Sequence, residues 1–147
     1  MKSRLNIEAT EPLIYEAMSE AERKINSFGL DPKLLELIRL RASQINGCGY
    51  CINYHTKNAM ELGETTQRLF AVSAWWETPF FTEDERAILK LTEEVTNIAH
   101  HGVSEQVYEM ALKAVGKEKL VQLLFVISTI NTWNRLAIAT HMVAEQD

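Results

Sequence analysis

Long apolar runs, basic clusters and turn-forming residues are what this chain has least of. No window approaches the ~18 consecutive apolar residues of a membrane-spanning helix, so a membrane protein is not expected. Lys and Arg stand mostly singly, as at Arg39, Arg41, Lys57, Lys90 and Lys113, and the formal net charge is −5. Without a basic stripe to neutralise phosphates, nucleic acid is not an expected partner. Three prolines and six glycines leave little room for long structureless segments in 147 residues. The opening MKSRLNIEATEPL has two early charges but no apolar run behind them, unlike a signal peptide, so a cytoplasmic location is expected. There are only two cysteines, at CxxC spacing. In a reducing compartment such a pair points to metal ligation or redox chemistry rather than a permanent clasp.

What is present reads as helix throughout. The hydrophobic fraction of 46% suits one soluble domain with a single core, taken as residues 1–147. Asp31-Pro32 supplies an N-cap followed by proline at the first helical position. Leu34, Leu35, Ile38, Ala42 and Ile45 then recur at helical spacing, with Arg39, Arg41 and Gln44 on other faces. Asn46-Gly47 breaks this helix, and a second is expected from Cys48 to Leu62, stopped by Gly63. A shorter segment follows from Thr66 to about Ala74. Thr82 to Glu85 forms a capping box for a helix that ends near His100-His101-Gly102. Ser104 caps the next helix and Gly116 closes it. The apolar run from Leu120 to Met142 is expected to be a buried helix, bent at residues 130–135. No strand or hairpin pattern occurs. The expected fold class is all-α.

Gly47 to His55, GCGYCINYH, concentrates the reactive chemistry. On a helix starting at Cys48, Cys51 and His55 are i and i+4 on one face, and Cys48 sits in the first turn. Free N–H groups and the positive dipole end favour thiolate there, and a CxxC arrangement also lowers cysteine pKa. A tight Asn-Gly turn makes the two helices an antiparallel hairpin. At about 1.5 Å per residue, Glu36 lies roughly 15 Å before that turn and His55 roughly 10 Å after it, an offset that two side chains and a water can span. By spacing alone the set has two readings. It is a proton-relayed dithiol, or a zinc site with Cys48, Cys51, His55 and Glu36 as ligands.

The segment LELIRLRASQINGCGYCINYHTKNAMELGE resembles the core of the AhpD-like alkylhydroperoxidases, in the carboxymuconolactone decarboxylase superfamily. Glu36, twelve residues before Cys48, then Cys51 and His55, match that family's Glu, Cys-x-x-Cys, x-x-x-His pattern. The likeness continues through QRLFAVSAWWETPFFTEDERAIL and INTWNRLAIA, over roughly residues 30–145. It implies an all-helical domain in homo-oligomers, often trimers or hexamers, that reduces hydroperoxides with no bound cofactor or metal. In the family's scheme Cys51 is the peroxidatic thiol, Cys48 the proton donor and resolving thiol, and Glu36 with His55 the proton relay. Helix-terminus physics by itself favours the outer Cys48 for attack; the resemblance assigns Cys51, on which His55 stacks. The resemblance also implies an external dithiol reductant of lipoyl or thioredoxin-like type. The founding peroxidase has a histidine where this chain has Tyr50. The alternatives are a disulfide reductase or redox sensor using the same pair, and a non-enzymatic metal-stabilised oligomer.

Other notable residues have structural readings. Trp75, Trp76, Phe80 and Phe81 are expected in core or interface, with an apolar substrate wall as the alternative. His100 and His101 suit a helix C-terminus, and His141 is read as structural. Arg135 is expected to pair with a buried carboxylate or cap backbone, and Asn131 and Asn134 to bond backbone at the bend.

Overall fold

Short local signals set the helix ends in the computed structural model, which describes residues 2–144. The side chain of Asp31 accepts from the Lys33 N–H and opens α3, Pro32–Asn46, with proline where no intrahelical donor is needed. Gly47 closes it at φ 71°, a left-handed conformation that costs little without a Cβ. Cys48 is then the N-cap of α4, Gly49–Glu61, so the turn between the two helices is as tight as Asn46-Gly47 implied. The Thr82 capping box opens α6, Glu83–Thr96, as expected. Before α3 lie α1, Ile7–Thr10, and α2, Pro12–Asn26; between α4 and α6 lie α5, Thr66–Ala71, and a 3-10 helix, Val72–Glu77. After α6 come α7, Ile98–His101, and α8, Glu105–Thr140, capped by Ser104.

The chain is all-helical, and among the described residues it contains no strand. No helix among them is long and apolar enough to cross a membrane. One expectation needs correction. Residues 130–135 are continuous helix; the one break in α8 is at Gly116, where a helix end was expected and where φ of 79° and ψ of 168° suit glycine. The polar island INTWNR does not interrupt the helix, because its amides are satisfied by side chains of other helices as well as by backbone.

α3 is the central element, buried on most of its circumference. Leu35 and Ile38 join one apolar cluster with Ile88, Leu91, Leu123 and Ile127. Leu37 and Leu40 join a second with Leu69, Val72, Trp75 and Phe81. Between these two apolar faces runs a polar stripe, Glu36, Ser43 and Asn46 with Arg39, at spacings of three and four. At its C-terminal end, Asn46 Nδ2 donates to Oδ1 of both Asn131 and Asn134 at 2.9 Å. Asn134 Nδ2 in turn donates to Ser43 Oγ at 3.0 Å, and Asn131 Nδ2 to Thr96 Oγ1 at 3.1 Å. Asn131 also reaches the Ile127 carbonyl, and Arg135 donates to the Asn131 carbonyl, the backbone contacts expected of both. Asn134, expected to bond backbone as well, bonds the Ser43 and Asn46 side chains instead.

Asn134 is completely buried and joins α8 to α3 through both ends of its amide. Asn134→Ala strands the Ser43 and Asn46 side chains without these partners and is expected to cost about 2 kcal/mol. The measurement is urea unfolding, with a lower midpoint at unchanged slope.

Candidate functional site

The site is built on the α3–α4 hairpin. Cys48, as N-cap, turns its Sγ back over the first turn of α4, where it accepts from the Cys51 N–H at 3.3 Å. The two cysteines are joined as a disulfide, with Cα atoms 5.4 Å apart. That separation lies in the usual range for the bond, so three-residue spacing at a helix start brings the thiols together without moving backbone. One turn further along, His55 stands on the face of Cys51.

Glu36 meets His55 directly. The Nδ1–Oε2 distance is 2.8 Å, so the offset along the hairpin is closed by the side chains themselves and no bridging water is needed. Its other oxygen accepts from Arg39 Nη1 at 2.6 Å. Only 4% of Glu36 and 8% of His55 is exposed. Burial works against ionisation of Glu36, but the hydrogen bonds and charges of His55 and Arg39 outweigh it and hold the carboxyl below its ordinary range. An ionised carboxylate only accepts, so His55 Nδ1 carries the proton that it donates to Glu36. In a neutral imidazole the other ring nitrogen, Nε2, is then the acceptor.

Arg39 was missed as a site residue. Hydrophobic periodicity put it on another face of α3, yet it is 7% exposed and shared between two carboxylates. Its Nη2 donates to Glu22 Oε2 of α2 at 2.6 Å. Glu22 Oε1 accepts from Trp133 Nε1 of α8 at 3.1 Å, and the Trp133 ring meets Tyr15 edge-on. The i,i+3 spacing of Glu36 and Arg39 was the one signal that could have found this arginine. Nothing local pointed to Glu22 or Trp133.

These groups border a cleft of about 970 Å³ that reaches Cys51, His55, Glu36 and Arg39. Cys51 lines it and Cys48 does not. Tyr50, on the cleft wall, stacks on Tyr54 at 6.3 Å, and Tyr54 meets the His55 ring edge-on at 5.2 Å. The aromatic patch lies elsewhere: Trp75 and Phe81 are in the second apolar cluster, with Phe80 against it, and none of the four patch aromatics lines the cleft. The core reading holds for Trp75, Phe80 and Phe81; Trp76 is 47% exposed and lies under the Arg41 guanidinium outside both clusters. His100 and His101 end α7 at the surface, and His141 caps α8 in a left-handed conformation. As for the zinc reading, both Glu36 oxygens are engaged by Arg39 and His55. Among the described residues no group of three or more His, Cys, Asp or Glu side chains is arranged to hold a metal ion.

Comparison with known proteins follows from the whole chain. Residues 12–94 match the family model of the carboxymuconolactone decarboxylase family. The uncharacterized protein YdfG of Bacillus subtilis (strain 168) is 34% identical over 139 residues, 95% of each chain. A crystal structure from Agrobacterium tumefaciens superimposes with a TM-score of 0.97 at 34% identity, covering 99% of this chain and 100% of that one. It is a protein of unknown function described as a candidate antioxidant defence protein AhpD. The debrominase Bmp8, solved as a cysteine-to-alanine variant in complex with 2,3,4-tribromopyrrole, shares the fold at a TM-score of 0.84 and 19% identity, over 93% of this chain and 73% of its own.

The charge on Glu36 gives a pH signature. Its pKa is depressed by folding, so its contribution to stability is complete above the unfolded value of about 4.3. The contribution is lost as pH falls through the lower folded value. Glu36→Gln is expected to flatten the loss of stability between about pH 5 and pH 3, read from urea midpoints across that window. Equal slopes in the two proteins would mean that Glu36 is not held ionised.

Proposed function

The chain belongs to the carboxymuconolactone decarboxylase family as an AhpD-like protein, and from that premise we propose that it is a thiol-dependent hydroperoxide reductase. The observation that carries the reading is the direct contact between His55 and Glu36 on the face of Cys51, at a cleft that Cys51 lines and Cys48 does not. Access thus favours Cys51 for attack, in agreement with the resemblance and against the helix-terminus preference for Cys48.

In the reduced protein, His55 Nε2 takes the Cys51 proton. The thiolate attacks one oxygen of the hydroperoxide, the O–O bond breaks, and the departing alkoxide leaves as alcohol with the proton from His55. Cys51 is left as sulfenic acid. The Cys48 thiol then attacks the Cys51 sulfur, forming the disulfide and releasing water. Glu36 holds the His55 tautomer and steadies the imidazolium between the two proton transfers. An external dithiol returns two electrons and two protons by exchange, regenerating both thiols. A lipoyl or thioredoxin-like reductant fits that step, and a reducing cytoplasm fits the cycle.

Burial favours small substrates. Cys48 is 1% and Cys51 4% exposed, which favours a hydroperoxide entering the cleft over a folded protein disulfide docking on the sulfurs. A homo-oligomer, a trimer or hexamer, is part of the same proposal.

Cys51→Ser is expected to abolish peroxide consumption in a coupled assay with a dithiol donor. Cys48→Ser should consume one equivalent and stop as a sulfenic acid that dimedone traps. His55→Ala should lower kcat/KM about 100-fold. Unchanged turnover in both cysteine variants would refute the peroxidase reading.

A further inference from the structure

Glu22 belongs to α2, which contributes no residue to the cysteine hairpin, yet it is wired to the site. Arg39 divides its guanidinium between two carboxylates, Nη1 to Glu36 and Nη2 to Glu22, each at 2.6 Å. The second Glu22 oxygen is fixed by Trp133 Nε1. Charge therefore alternates from Glu22 to Arg39 to Glu36, and the line ends on the His55 Nδ1–H that Glu36 accepts. The side chain of Arg39 is 8% exposed and that of Glu22 27%, so solvent screens this pair less than a surface pair.

We propose that Glu22 is a positioning residue for the Cys51–His55 pair, acting through Arg39 to set how strongly Glu36 holds the imidazole proton. The proposal rests on the reading of Cys51 and His55 as the working thiol and base. An arginine paired with Glu36 alone would spend its whole charge on that carboxylate and weaken its hold on His55. Glu22 takes up part of that charge. Without the negative charge of Glu22, the potential at the site becomes more positive. Thiolate is then stabilised and imidazolium destabilised, and both apparent pKa values of the coupled pair fall. Without the positive charge of Arg39, both rise.

Other titratable groups share the cleft with His55. Tyr15 and Arg23 of α2 and Tyr50, Tyr54 and Glu61 of α4 line the same cleft, while α8 contributes Trp133 and Ala137, neither charged. Among the described residues only Glu22 reaches Glu36 through a shared buried arginine, so its removal has a sign that a general loosening of the site does not.

The test uses iodoacetamide alkylation rates against pH in the Cys48→Ser background, where Cys51 is the sole thiol. Glu22→Gln, isosteric and part-exposed, is expected to lower the midpoint by several tenths of a pH unit to about one unit. Arg39→Gln is expected to raise it. Shifts of opposite sign support the proposal, since structural damage at either residue has no reason to move the midpoint in opposite directions. If the Arg39 variant does not fold, the Glu22 variant decides alone. A midpoint unchanged or raised by Glu22→Gln overturns the proposal. Alkylation needs no peroxide, which keeps the two readings separable. Shifted midpoints without peroxide turnover in the wild type would remove the peroxidase reading alone. Normal turnover with an unshifted midpoint would remove the role of Glu22 alone.

Discussion

A carboxylate placed where almost no water reaches it is the constraint on which the rest of this structure depends. Glu36 is 4% exposed, and an ion at that depth is tolerated only when each oxygen is hydrogen-bonded and its charge is matched. Arg39 supplies one partner and His55 the other. Each demand propagates outward. His55 reaches Glu36 only if α4 runs back along α3, which needs the left-handed Gly47 turn. Arg39 brings a buried cation that is itself shared with Glu22, and this fastens α2. Trp133 then ties α8 to the same carboxylate pair. Three helices are thus positioned against a fourth by ion pairs and hydrogen bonds that begin at one side chain.

α3 can carry this because its surface is divided. Two apolar faces feed the two hydrophobic clusters, and the polar stripe of Glu36, Arg39, Ser43 and Asn46 runs between them. One end of the stripe meets His55, on the face of Cys51. The other forms the amide network with Asn131 and Asn134, where α8 carries polar groups into the core. Apolar burial stabilises the packing without direction. These hydrogen bonds add direction, because sliding α8 along α3 would leave several buried amides unpaired. A reactive pair held to a narrow geometry benefits from being mounted on such a frame.

Much of this was legible in advance, for a reason visible in particular residues. Asp31-Pro32, Thr82 with Glu85, Ser104, Gly47 and Gly116 end or start helices through contacts within a few positions, so they read from sequence directly. Cys48, Cys51 and His55 share one helix, and their relation follows from its period. Glu36 was selected by a family resemblance, and by being acidic on a helix otherwise rich in Leu and Ile. Arg39 was misplaced because periodicity assigns a charged residue to the outer face, and only a buried counter-charge reverses that. The expected bend at residues 130–135 failed on the same ground: polar residues inside an apolar helix look like an interruption until their partners on α3 and α6 are known.

By itself, then, the sequence determined the helices, their caps, the antiparallel hairpin and the face shared by Cys51 and His55. All of these are settled by forces acting within about one helical turn or across one tight connection. Tertiary structure alone decided that Glu36 touches His55 without a water, that Arg39 is buried between two carboxylates, and that Trp133 closes the line. Those contacts join residues 19, 17 and 111 positions apart. Contacts over such separations are chosen by which helices pack together, and local periodicity carries no information about the partner.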